Sequence, residues 1–196
     1  MPGTYKVSVA KRVNGVLTTF GQAQEFQVVV EGQDKMNLAD RQALVDFQTK
    51  VARLQRAVSG ATQAANALTP RFAAIRRALL DTPNAEKLMA EATALEKRNR
   101  EILKALSGDS TLRGRNMNLP ASINERVGEI VGGQRMSTSR PTQTQIDLYA
   151  HAASEFEGTL NALRQLIEVD LAKLEKQMEA AGAPWTPGRI PEWKDQ

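Results

Sequence analysis

Hydrophobic and polar residues alternate strictly at the start of the chain. Tyr5, Val7 and Val9 interleave with Lys6, Ser8 and Ala10, and Phe26, Val28 and Val30 interleave with Gln27 and Val29. That period of two places each apolar set on one face of a strand. Between the runs, Asn14-Gly15 suits the two positive φ values of a tight type I′ hairpin turn, so Val16 to Phe20 can pair back until Gly21 interrupts. The pattern predicts strands over residues 4–13, 16–20 and 25–30, within a β segment at 1–33. So few strands cannot bury an apolar face without a second layer. The cover has to come from the helical region, from another copy of the chain, or from the rest of a β-sandwich of which residues 1–33 are the end.

After Gly32 the period changes. Leu44, Phe47, Val51, Leu54, Val58, Ala61, Ala65, Leu68, Phe72, Ile75 and Leu79 step by three and four, the apolar stripe of a bundle helix. Asn37 or Asp34 can cap its start. Pro70, which lacks a backbone N–H, predicts a kink or short break near Thr69-Pro70. A second helix is predicted between Thr82-Pro83-Asn84 and Gly108, with Asn99 as a polar member of its stripe, there to fix register. A third follows Leu119-Pro120 and stops at Gly132-Gly133, after a polar linker over residues 108–118. The last opens after Pro141-Thr142 and carries Ile146, Tyr149, Ala153, Phe156, Leu160, Leu163, Ile167, Leu171, Leu174 and Met178 inward. The fold class is therefore mainly α with a small N-terminal antiparallel β segment, the α part being an antiparallel bundle of long, heptad-patterned helices over residues 37–182. Residues 183–196 form a proline-spaced extended tail with Trp185 and Trp193.

Composition narrows the chemistry. The chain holds no cysteine and one histidine, which removes thiolate nucleophiles, sulfur-ligated zinc and paired-imidazole metal sites. His151 lies one turn from Glu155 and reads as part of a solvated helix face. Glu91, Glu96, Glu101, Glu168 and Asp170 fall between stripe positions, where bundle helices carry solvated charge. No phosphate-binding glycine loop or nucleophile elbow occurs. A net charge of +4 is spread thinly. Its densest stretch, Lys97, Arg98, Arg100, Lys104, Arg113 and Arg115, has acidic interruptions and no aromatic for base stacking, so nucleic acid is a weak expectation. No segment is apolar for the roughly 20 residues that span a bilayer. The residues suited to partner contact are Trp185, Trp193, Tyr5 and Phe26; no catalytic, cofactor-binding or metal-ligating residue is expected.

Several strings resemble a known family. Pro2-Gly3-Thr4-Tyr5-Lys6-Val7-Ser8-Val9, Asn118-Leu119-Pro120 with Ile123-Asn124 and Val127, and Pro141-Thr142-Gln143 with the leucine-rich helix behind it are similar to the C-terminal region of bacterial sortilin-like (Vps10-type) BNR-repeat propeller proteins, often labelled glycosyl hydrolase-like. The resemblance implies that the first strands close an immunoglobulin-like domain, and that the bundle sits behind an upstream propeller in an exported, extracellular or periplasmic protein. The chain has no propeller and no Asp-box sequence, so the hydrolase label does not pass to these residues. The expected function is a non-catalytic structural or interaction module whose partners are the upstream propeller and immunoglobulin-like domains, with self-association also open. The alternatives are an accessory part of a glycoside-hydrolase-like enzyme and a free-standing basic helical protein that binds nucleic acid or an anionic surface.

Overall fold

The computed structural model describes residues 1–32 and 36–191. It is mainly α, with a two-stranded antiparallel sheet at the N-terminus. Strands β1 (Gly3–Val13) and β2 (Val16–Val28) are followed by helices α1 (Leu38–Leu80), α2 (Glu86–Ser107), α3 (Ser110–Arg113), α4 (Ile123–Arg135) and α5 (Gln143–Arg164). A π-helical segment, Gln165–Leu171, leads without interruption into α6 (Ala172–Ala180).

The sheet has two strands where the alternation predicts three. Runs 16–20 and 25–30 merge into β2 because Gly21, at φ +78°, turns the chain in place of ending it. Pairing passes from Val7 opposite Gln24 to Val9 opposite Phe20, so Gly21 to Ala23 bulge against Ser8. Asn14 and Gly15, at φ 50° and 83°, form the expected tight turn, with Val13 and Val16 paired across it.

Helix α1 runs unbroken for 43 residues with Pro70 inside it. No break occurs, because Pro70 and Asn66, whose carbonyl loses its donor, both lie on the exposed side. Asn37 supplies the N-cap, its Oδ1 accepting from the Asp40 backbone N–H at 2.8 Å; Asp34, the other candidate, lies outside the described residues. Asp109 caps α3 within the segment expected to be a linker, and α4 continues past Gly132-Gly133 to Arg135. Ser122 and Thr142 open α4 and α5 with reciprocal capping boxes to Glu125 and Gln145.

The helices enclose one main core, to which α1 contributes Leu54 through Leu79 and α5 to α6 contribute Ala152 through Met178. Phe47, Val51 and Ile130 form a smaller cluster beside it, with Tyr149 edge-on to Phe47. The last helix departs from the predicted stripe. Leu166 and Leu171 are both buried, five residues apart, whereas Ile167 is only partly covered and Ile146 is exposed. The π-helical segment supplies the wider step, returning Leu171, Leu174 and Met178 to the core after the 3.6-residue turn has drifted off it.

Candidate functional site

The part of the molecule left open is the hairpin. Every residue of β1 and β2 is exposed. Cross-strand pairing puts Tyr5 with Phe26, Val9 with Phe20 and Val13 with Val16 on one face, joined by Val7 and Val28. Thr4, Lys6, Ser8, Ala10, Arg12, Thr19, Glu25 and Gln27 occupy the other, where Lys6 Nζ meets Glu25 Oε1 at 3.2 Å. Tyr5 and Phe26 stack at a centroid separation of 5.9 Å and remain 40% and 47% exposed. The helices do not lie over this face. They approach the hairpin at its base, where Met1, Pro2 and Val28 to Val30 line an apolar groove with Leu44 and Val45 of α1. Cover by the chain's own helices, one of the expected solutions, is therefore not what the fold provides.

The same alternation extends further than the strand-by-strand pattern suggests. Val13, Val16 and Phe20 belong to the apolar face with Tyr5 and Phe26, because the bulge shifts pairing by an even number of residues and so keeps the phase. The signal is present in the sequence as the even spacing of Phe20, Gln24 and Phe26, but Gly21 hides it by looking like a strand end.

The charged residues spread out along the helices. Glu155 pairs with Arg126 of α4, and His151 is exposed one turn away. Glu96 accepts from Arg76 at 3.3 Å and lies 3.5 Å from Arg100, Asp170 accepts from Arg98 at 2.5 Å, and Glu101 lies 3.3 Å from Lys104. Arg113 meets Glu125 at 2.8 Å. The densest basic stretch is thus largely committed to internal carboxylates. Among the described residues no group of three or more His, Asp or Glu side chains is gathered as metal ligands would be, and no helix is long and apolar enough to cross a membrane.

Two carboxylates are tuned by helix starts. Glu125 is held below the usual carboxylate range by hydrogen bonds from the Ser122 backbone N–H and hydroxyl, with Arg113 adding to the effect. Asp109 is lowered by the Leu112 and Thr111 backbone N–H groups it caps, and by Lys104. Lys104 is raised, first by its hydrogen bond to Glu101. Each is explained by capping and local pairing.

Inside the bundle, Asn99 is 1% exposed and its Nδ2 donates to the Ala65 carbonyl of α1 at 3.0 Å, while its Oδ1 is buried with no partner. Asn124 of α4 reaches Thr62 of α1 and Ser107 of α2. These polar contacts tie α1, α2 and α4 in one register. The tail folds back on the bundle end: Ala183 and Thr186 are buried, and Gly188, at φ +93°, lies against Arg71, which holds Glu175 at 2.6 Å. Trp185 stays 45% exposed with the Arg189 guanidinium over its ring at 4.6 Å. Trp193 lies outside the described residues. Of the four partner-contact candidates, Tyr5 and Phe26 come together and Trp185 stands apart on the tail. No family model, no curated protein and no solved structure matches the chain.

Proposed function

We propose that the chain is a non-catalytic structural and interaction module at the C-terminal end of a larger, exported propeller protein. Its bundle is the rigid scaffold and its hairpin is the element of attachment to the domains upstream. The observation that carries this reading is the contrast between a bundle that closes its own core and a hairpin whose apolar face, centred on Tyr5, Phe20 and Phe26, has no cover within the chain. A bare face of that kind marks an interaction surface. The internal pairing of Arg98, Arg100, Lys104 and Arg113 disfavours an anionic-surface binder, which needs free cations. The likeness of residues 2–9 to a strand of an immunoglobulin-like domain supports the placement behind a propeller.

The test is the complete reading frame and its product. An upstream propeller and β-sandwich, with the hairpin resistant to protease in the full-length protein and cleaved in the 196-residue chain, is the expected result. A reading frame with no further domain would overturn the proposal, as would glycosidase turnover by the purified chain.

A further inference from the structure

The two edges of the hairpin are not equivalent. In an antiparallel ladder alternate residues turn their backbone N–H and C=O groups toward the partner strand and the others turn them away. The residues flanking a two-residue turn face each other, here Val13 and Val16. Thr4, Lys6, Ser8, Ala10 and Arg12 of β1 therefore present an outward row, uninterrupted by proline or bulge over Gly3–Val13. The outward row of β2 is broken between Thr19 and Glu25 by the bulge at Gly21 to Ala23, a device that blocks strand addition.

We infer that the outer edge of β1 and the apolar face beside it form one docking site for a β-sandwich module of the larger protein. The module adds a strand along Thr4 to Ala10 and lays its second sheet over Tyr5, Val9, Phe20 and Phe26. This rests on the hairpin being the attachment element and adds which edge and which face are used.

A second copy of the chain fits poorly. Edge-to-edge pairing of two β1 strands yields a four-stranded sheet with all its apolar residues still on one bare side. Face-to-face packing leaves the open edges unpaired and joins footprints of only about 350 Å² each, from 11 residues at about 3.3 Å rise across two strands. A specific interface needs at least about 500 Å² per partner. The only charged side chain on the apolar face is Lys11, opposite Thr18, and the face holds no carboxylate, so two copies would bring two lysines together without a counter-charge. A β-sandwich supplies a free strand edge and an apolar inner sheet at once, and the site calls for an acidic residue at its rim facing Lys11.

Residue-resolved hydrogen exchange on the full-length product, compared with the 196-residue chain, tests the assignment. The amides of Thr4, Lys6, Ser8 and Ala10 are expected to exchange about 100-fold more slowly in the full-length product, with those of Leu17, Thr19 and Gln27 unchanged. Slowing confined to the β2 residues would overturn the edge assignment while leaving attachment by the hairpin standing. No slowing on either strand would overturn both. Slowing that appears in the 196-residue chain as its concentration rises would make a second copy the occupant and overturn the inference. A matched pair of variants sharpens the test, since Lys6→Pro and Glu25→Pro each remove the same exposed ion pair but act on opposite edges. Proline at an outward position spares the hairpin ladder, so Lys6→Pro should cut the β1 protection by about tenfold and Glu25→Pro should leave it intact. Equal effects of the two would overturn the edge assignment.

Discussion

The bundle and the hairpin follow the same rule of one apolar and one polar side, and they end in opposite states. In the bundle, α1 offers a stripe of buried residues from Phe47 to Leu79, and helices close behind it in sequence return to cover it. A short loop is enough to bring an antiparallel helix alongside, so a helical core closes with local partners. In the hairpin, β1 and β2 satisfy each other along one edge only, and the face bearing Tyr5, Phe20 and Phe26 needs a second layer that neither strand can supply. Folding is self-sufficient in one region and incomplete in the other. The incomplete region is where a partner belongs.

The sharpest way to break this comparison is in the core. Phe72 is fully buried among residues of α1 and its neighbours. Phe72→Ala should lower the unfolding free energy by about 3–5 kcal/mol in denaturant titration, the usual cost of an emptied aromatic site. A loss under about 0.5 kcal/mol would mean that the bundle is not the unit that holds the chain together.

A smaller effect, of opposite sign, is expected at Asn99. Its amide nitrogen donates to Ala65 O, but its buried Oδ1 has no partner. Asn99→Leu should therefore raise stability by about 1 kcal/mol, since an unsatisfied buried acceptor is removed and the volume is kept. Doubled amide resonances in the variant would show that the Asn sets helix register. A loss of about 2 kcal/mol or more would show instead that Oδ1 is satisfied in solution.

These two sites mark how far the sequence could be read. The α1 stripe and the polar position of Asn99 were legible because three-and-four spacing depends only on helix geometry. The continuity through Pro70 was not, because the cost of proline depends on whether the freed Asn66 carbonyl faces solvent, and spacing does not say so. The step from Leu166 to Leu171 was hidden for a related reason: Leu163, Ile167 and Leu171 also fit a helical stripe, and only packing against α2 decides between them. At the candidate site, Tyr5 and Phe26 were legible from alternation, whereas Phe20 and Val16 were obscured by a glycine that bulges where a strand end was expected. What covers the face lies outside any local pattern.

At the start of α4, Ser122→Ala should cost about 1 kcal/mol by removing the N-cap. The pH dependence has a fixed sign. Glu125 is held below its ordinary value by hydrogen bonds from Ser122, so its contribution is fully present above about pH 4.3 and is lost as pH falls through the lowered value. Asp109 acts in the same direction at α3. Amide shifts of Ser122 and Thr111 followed from pH 7 downward should stay flat to about pH 4 and move below it. A transition near neutral pH would mean that another group governs these caps.

The smallest expected effect is the most telling. Phe26→Ala removes an aromatic side chain, the change that costs about 3–5 kcal/mol at Phe72. In the 196-residue chain, however, Phe26 loses only its stacking on Tyr5, and both rings are already largely in water. Global stability should change by less than about 0.5 kcal/mol, because the unfolded chain exposes nearly as much of the ring as the folded one. In the full-length product the same substitution should cost about as much as a core change, since the partner's second sheet would then bury the ring. The difference between the two measurements isolates the covering of the face from the intrinsic stability of the hairpin. A loss of about 3 kcal/mol already present in the 196-residue chain at low concentration would mean that the face is packed without a partner, and the contrast between bundle and hairpin would fall.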